Sequence, residues 1–128
     1  MTSRLLACAV LLLAFCLTAC ESMGGTMTEK NDDTVYSLEF ASLTAERTHD
    51  FALERGDALW VEIAHRSGDI RLSIRGENGE EAYTGNRLSA CSFSVGVPQA
   101  GSYRVTVVTE RAEGSIRIER ISKAEEQQ

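Results

Sequence analysis

Two histidines and one cysteine are the residues of this chain best suited to chemistry. His49 and His65 do not show a metal-binding spacing such as His-x-x-x-His. Cys91 with a histidine would make a thiol nucleophile, which requires an exposed sulfur. Cys91 instead shares the alternation phase of Phe93 and Val95, which predicts a small, buried hydrophobic side chain. We therefore predict a protein that is not an enzyme and has no catalytic residues.

Acidic residues near turns raise the question of a calcium site, because hard cations require several oxygens that converge from loops. The stretch "GENGEE" lacks the EF-hand pattern, and Asn-Gly between acids favours a hairpin turn. We predict no metal site and no cofactor, with calcium as the less favoured alternative. The acids in question are Asp57, Asp69, Glu77, Glu80 and Glu81.

A period-two alternation of apolar residues predicts the elements that position these residues. Seven or eight short strands are separated by turns such as "ERGD", "RSGD", "GENGEE" and "PQAG", at a spacing of about 8–12 residues. This pattern predicts an all-β fold, an antiparallel, jelly-roll-like β-sandwich over residues 34–121. The predicted strands are "VYSLEF", "HDFAL", "ALWVEIA", "IRLSIR", the weak segment 82–84, "CSFSVGV", "SYRVTVV" and "GSIRIERI".

Outward strand positions carry arginines and one tryptophan, Trp60. One interpretation is cross-strand charge pairing on a solvated sheet. The other is a recognition face, because guanidinium groups bind carboxylates and phosphates and Trp60 can stack on a sugar or a partner side chain. A phase error of one residue would instead turn Trp60 into the core. The candidate recognition face comprises Trp60, Arg71, Arg75, Arg104 and Arg117.

The order of motifs resembles the bacterial pre-peptidase C-terminal domain and related jelly-roll-like sandwiches. The matching residues are Asp50, Phe51 and Leu53, then Gly56-Asp57, Gly68-Asp69 and Val97-Pro98, with Gly101, Tyr103 and Val105. The resemblance implies the β-sandwich fold and a non-catalytic module. Relatives of this kind accompany secreted enzymes, and some bind polysaccharide, collagen or calcium.

The N-terminus has the features of a secretory leader, with Arg4 followed by the apolar run Leu5–Phe15. Residues 17–20, "LTAC", resemble the lipobox of bacterial lipoproteins. The resemblance implies that the signal peptide, residues 1–19, is cleaved and that Cys20 carries a covalent diacylglycerol. Two acyl chains would hold the protein stably at the outer side of the cell membrane, or at the outer membrane of a diderm host. Residues 20–33 are predicted to be the lipidated Cys20 and a flexible tether, and residues 122–128 a polar tail.

The formal net charge of −6 makes nucleic acid a poor partner. Taken together, the sequence predicts a membrane-anchored bacterial lipoprotein whose β-sandwich is a non-catalytic binding module at the cell envelope. Its predicted partners are the membrane, through the lipid, and a polysaccharide or another envelope protein. The alternative is an accessory or inhibitor-like module that acts on a separate hydrolase.

Overall fold

The structure is a computed structural model that describes residues 25–123, and six β-strands account for 77% of them. The fold is an antiparallel β-sandwich, which confirms the predicted fold class. No helix in this stretch has the length and apolar character needed to cross a membrane. The strands are β1 (Thr26–Asn31), β2 (Val35–Leu53), β3 (Ala58–Gly76), β4 (Glu81–Gly85), β5 (Cys91–Gly96) and β6 (Gly101–Ile121).

Three long strands run through both layers of the sandwich. The sheet order is β1-β2-β6-β3-β4, and β5 pairs with the first part of β3. Layer A is formed by β1, residues 35–43 of β2, residues 112–121 of β6, residues 58–65 of β3, and β5. Layer B is formed by residues 45–53 of β2, 101–109 of β6, 69–76 of β3, and β4.

The three long strands pass from one layer to the other at aligned irregularities. In β3 the register shifts between His65 and Asp69, and Gly68 has a φ of 77°. In β6, Gly114 has a φ of 151°, and a Cβ there would collide with the carbonyl oxygen of Ala64. The prediction of a turn at "RSGD" that separates two strands is wrong, because a bulge at this glycine bends the strand without ending it. The predicted strands "ALWVEIA" and "IRLSIR" are therefore two halves of β3. In the same way "VYSLEF" and "HDFAL" both belong to β2, and "SYRVTVV" and "GSIRIERI" to β6, so the predicted seven or eight short strands correspond to five in the structure, and β1 is the sixth.

Inward side chains from both layers form a single hydrophobic core. The predicted inward phase is confirmed for the apolar residues of β2, β3 and β6. Each fully buried side chain of this size contributes about 1.5–3 kcal/mol of transfer free energy. The largest fully buried side chains are Tyr36, Phe51, Leu38, Leu59, Ile70, Leu72, Ile74, Ile116, Ile118, Val61, Val105 and Val107.

The predicted flexible tether is wrong over residues 26–31, which form strand β1. β1 pairs with residues 36–41 of β2 and extends layer A by one strand. It shows no apolar alternation because it is an edge strand held mainly by backbone pairing, and most of its side chains are exposed. The leader, the lipobox with Cys20, and residues 124–128 lie outside the described residues.

Candidate binding site on the outer face of layer A

Trp60 lies on the outer face of layer A, as the strand phase predicts. Its neighbours along β3, Leu59 and Val61, are fully buried, whereas the indole is half-buried. The indole Nε1 donates a hydrogen bond of 2.8 Å to Oε1 of Glu62. This bond fixes the ring beside the carboxylate, so one apolar surface and one acceptor are presented together.

A charged pair on β6 lies next to these two side chains. In the pairing of β3 with β6, Trp60 is opposite Glu119 and Glu62 is opposite Arg117. Nη1 of Arg117 donates to Oε2 of Glu119 at 2.9 Å. Directly opposed residues on neighbouring strands have side chains about 5 Å apart. The four side chains therefore form a compact block of one aromatic, two acids and one arginine.

A groove continues from this block along the strands towards the bend. A cavity of about 280 Å³ lies beside Glu62 and Arg117, and a second of about 380 Å³ adjoins it. The two cavities share Glu39, Ala64 and Ser115. Ala41, Ala64 and Ser115 have small side chains, so the backbone of the sheet forms the bottom of the groove at these positions. From Glu62 to Arg66 the groove spans roughly 13 Å at the rise of a β-strand, and Trp60 lies just beyond the Glu62 end.

The groove carries more acids than arginines. Its lining and the adjoining block contain two arginines, Arg66 and Arg117, and four acids. Acids and hydroxyls accept hydrogen bonds from sugar hydroxyls, and the serines and Arg117 donate them. The excess of acids disfavours a polyanionic ligand, because like charges repel. The acids are Glu39, Glu62, Glu113 and Glu119.

The other predicted recognition residues lie on the opposite side of the sandwich. Arg71, Arg75 and Arg104 are exposed on layer B, and only Arg117 shares the outer face of layer A with Trp60. Arg104 forms an exposed ion pair with Asp50, with 3.0 Å between Nε and Oδ1. The residues of the predicted recognition face therefore lie on two opposite faces of the sandwich. The structure adds Glu39, Ala64 and Ser115 to the candidate site. In the sequence these residues are marked only by their outward positions in the strand alternation.

Cys91 is exposed, so the prediction of a buried side chain is wrong. Its phase on β5 is as predicted, since Phe93 is half-buried and Val95 is buried on the same face. However, Cys91 is the first residue of the strand, where layer B no longer covers the inner face. Both histidine rings interact with other groups: His49 stacks against Tyr36, and Nε2 of His65 donates to the carbonyl oxygen of Gly68 at 2.7 Å.

A second polar cluster connects the two layers at the edge formed by β1 and β2. Arg47 of layer B donates to both carboxylate oxygens of Glu29 in layer A, at 2.9 and 2.7 Å. The Tyr36 hydroxyl donates to Glu29 at 2.7 Å, and the Tyr36 ring stacks on His49 with 5.0 Å between centroids. The hydrogen bond from Arg47 holds the pKa of Glu29 at about 2, and burial raises the pKa of Tyr36 above its usual value. Glu29, Arg47 and Tyr36 satisfy one another, so these three residues are suited to joining the layers, whereas Nε2 of His49 is buried without a hydrogen-bond partner.

The turn acids do not converge. Within residues 25–123, no group of three His, Cys, Asp or Glu side chains is arranged to hold a metal ion. Asp57 is buried, accepts a hydrogen bond from the Glu54 amide at 2.9 Å and pairs with Arg120 at 3.3 Å. Asp57 thus stabilises the turn between β2 and β3.

Comparison with known proteins gives likenesses of architecture only. No family model and no curated protein sequence matches the chain, so the resemblance to the pre-peptidase C-terminal domain stays a prediction. A periplasmic inhibitor of g-type lysozyme, PliG from Aeromonas hydrophila, is 14% identical with a TM-score of 0.47, over 77% of this chain and 89% of PliG. A CBM4 structure is 11% identical with a TM-score of 0.42, over 76% of this chain and 75% of its own. TmCBM61 in complex with β-1,4-galactotriose is 15% identical with a TM-score of 0.43, over 77% and 70%.

Proposed function

We propose that this chain is a non-catalytic binding module that takes an uncharged polysaccharide in the groove on layer A. The observation that carries the proposal is the position of Trp60, which is hydrogen-bonded to Glu62 at one end of a groove lined largely by small residues. An aromatic ring offers a flat apolar surface to the C–H face of a sugar, while neighbouring acids and hydroxyls bind its hydroxyl groups. The open, extended shape of the groove suits a chain polymer better than a compact small molecule.

We also propose that Cys20 anchors the module to the outer side of a bacterial membrane as a lipoprotein. The support is the resemblance of residues 17–20 to a lipobox. Strand β1 begins at Thr26, six residues after Cys20, so the anchor would lie at most about 20 Å from the sheet. Thr26 and Thr28 line one end of the groove. Anchoring at Cys20 would therefore place that end near the membrane.

The proposal is tested by binding of a panel of neutral and acidic polysaccharides to the purified chain and to Trp60→Ala. Saturable binding of a neutral glycan, weakened at least tenfold in Trp60→Ala, would support the groove as the site. Arg71→Ala is the matched control on layer B and should bind the glycan with the affinity of the wild-type protein. The free energy of unfolding of Trp60→Ala must be measured alongside, because a loss of about 3–5 kcal/mol would mean that the ring acts as core.

Capture from an envelope extract separates the alternatives. A single hydrolase retained by the chain, with no glycan bound, would overturn the polysaccharide proposal in favour of an accessory or inhibitor-like module. A non-enzymatic envelope protein would instead indicate an assembly subunit. Release of the intact protein from membranes only by detergent, and its loss in Cys20→Ser, would test the anchor separately.

A further inference from the structure

The free edge of β5 differs from every other free edge in residues 25–123. Edge strands usually carry charges that prevent pairing with another chain. β1 carries Glu29 and Lys30, the free edge of β2 in layer B carries Asp50, and β4 begins at Glu81. In contrast, β5 reads "CSFSVG" and has neither a charge nor a proline. It pairs only with β3, so its other side is open.

The pairing of β5 with β3 determines which backbone groups point outward. The Val97 amide donates to the Asp57 carbonyl at 3.0 Å, and the Gly56 amide donates to the Val97 carbonyl at 3.2 Å. Hydrogen-bonded and non-bonded positions alternate along an antiparallel pair. Residues 91, 93 and 95 therefore bond to β3. The outward N–H and C=O groups belong to Ser92, Ser94 and Gly96.

We propose that β5 pairs with the β5 of a second copy of this chain, antiparallel and about a two-fold axis at Ser94. Only residues with outward backbone groups can bond across the new pair. A two-fold axis at Ser94 places Ser94 opposite Ser94 of the second copy, and Ser92 opposite Gly96 of the second copy. Each opposed pair exchanges two hydrogen bonds, so this register uses all the outward groups of the strand.

The side chains are complementary in the same register. Phe93 lies opposite Val95 of the second copy, and Cys91 opposite Val97. These are non-bonded positions, where opposing side chains approach most closely. Phe93 is half-buried beside Tyr83, with 4.8 Å between ring centroids, and Cys91 is exposed. Pairing would cover both with apolar neighbours, and no charged residue of one β5 meets the other.

The dimer joins the two copies of layer A into one continuous sheet. Trp60 is opposite Ser94, so the two Trp60 side chains would lie three strand spacings apart, about 14 Å. Two grooves would then share one surface. This proposal does not depend on which ligand the groove binds, and either proposal can fail without the other. A pairing of six residues buries a small interface, so the association is weak and is best trapped covalently.

The test is disulfide trapping in the full chain with Cys8, Cys16, Cys20 and Cys91 replaced by serine. Opposed Cα atoms at a hydrogen-bonded position are about 5.5 Å apart, within the range of a disulfide. Ser94→Cys should therefore form a covalent dimer on mild oxidation. Ser92→Cys is the control, because in this register the two copies of residue 92 lie about 14 Å apart. We expect the Ser94→Cys dimer to form at least tenfold faster.

A second pair of variants tests the register without Ser94. Ser92→Cys mixed with Gly96→Cys should give a mixed dimer, while each alone should not. A Cβ at Gly96 meets no other atom within 4 Å, so the substitution fits the monomer. Equal cross-linking of every variant, or none by Ser94→Cys and none in the mixture, would overturn the proposal.

Discussion

Replacing Glu29 by Gln tests whether β1 is held in the fold by a charge, and the effect should depend on pH. The carboxylate of Glu29 receives two hydrogen bonds from Arg47 and one from Tyr36. Its pKa falls from 4.5 to about 2, a shift of 2.5 units, which corresponds to at most about 3.4 kcal/mol. The side chain of Arg47 is 39% exposed, so solvent screening reduces the expected loss in Glu29→Gln to about 1–2 kcal/mol at pH 7.

The sign of the pH dependence follows from the direction of the shift. A group whose folded pKa is lowered stabilises the fold fully above its unfolded pKa, and this contribution disappears as the pH falls through the folded pKa. The unchanged chain should therefore lose its advantage over Glu29→Gln between pH 4.5 and about pH 2. Urea unfolding followed by circular dichroism at pH 7, 4 and 2.5 measures the difference.

Glu46→Gln is the matched control, because Glu46 is exposed on the same strand as Arg47. It should change the free energy of unfolding by less than about 0.5 kcal/mol. Equal stability of Glu29→Gln and the unchanged chain at pH 7 would refute the reasoning. A loss that stays the same at pH 2.5 would refute the electrostatic origin of the effect.

Three further outcomes are expected. In dilute native protein, Cys91 should react with a thiol reagent as fast as a free thiol, and protection until unfolding would contradict its exposed position. Asp57→Ala should lower the free energy of unfolding by about 1–3 kcal/mol, since it leaves the Glu54 and Lys123 amides and Arg120 without their acceptor; a loss below 1 kcal/mol would contradict this. Gly114→Ala should cost about 2 kcal/mol or more because of its positive φ and the close carbonyl, whereas Gly96→Ala should be nearly neutral. Equal stability of these two glycine variants would refute that account of the bend.

The period-two alternation of apolar residues was sufficient to predict the fold class and most of the residues of the hydrophobic core. In each half of β3 and β6 the buried residues fall mainly at alternate positions, because successive side chains of a strand point to opposite faces of the sheet. Trp60 was placed on the outer face by the same rule. Cys91 was misplaced because phase says which way a side chain points, while its burial depends on whether the opposite layer extends that far.

The groove and the bends in the long strands depend on which strands pair with each other, which the local sequence does not reveal. Gly68 in "RSGD" is typical of a hairpin turn, and only the pairing of β3 with β6 shows that the strand continues. For the same reason Arg117 lies near Trp60 while Arg71 does not. β1 was missed because its inward residue is Glu29, whose partner Arg47 lies 18 positions along the chain.

The central position of β6 has a consequence for how the chain folds. β6 lies between β2 and β3 in both layers, so neither layer has a continuous sheet until residues 101–121 are in place. Before β6 is in place, β2 has β1 as a partner and β3 has β4 and β5, but β2 and β3 are not joined to each other. Folds dominated by such distant pairings form slowly and have exposed apolar segments in the meantime. A nascent chain would therefore lack a closed sandwich until residues 101–121 have emerged, and truncation before residue 101 would remove the strand that joins β2 to β3 in both layers.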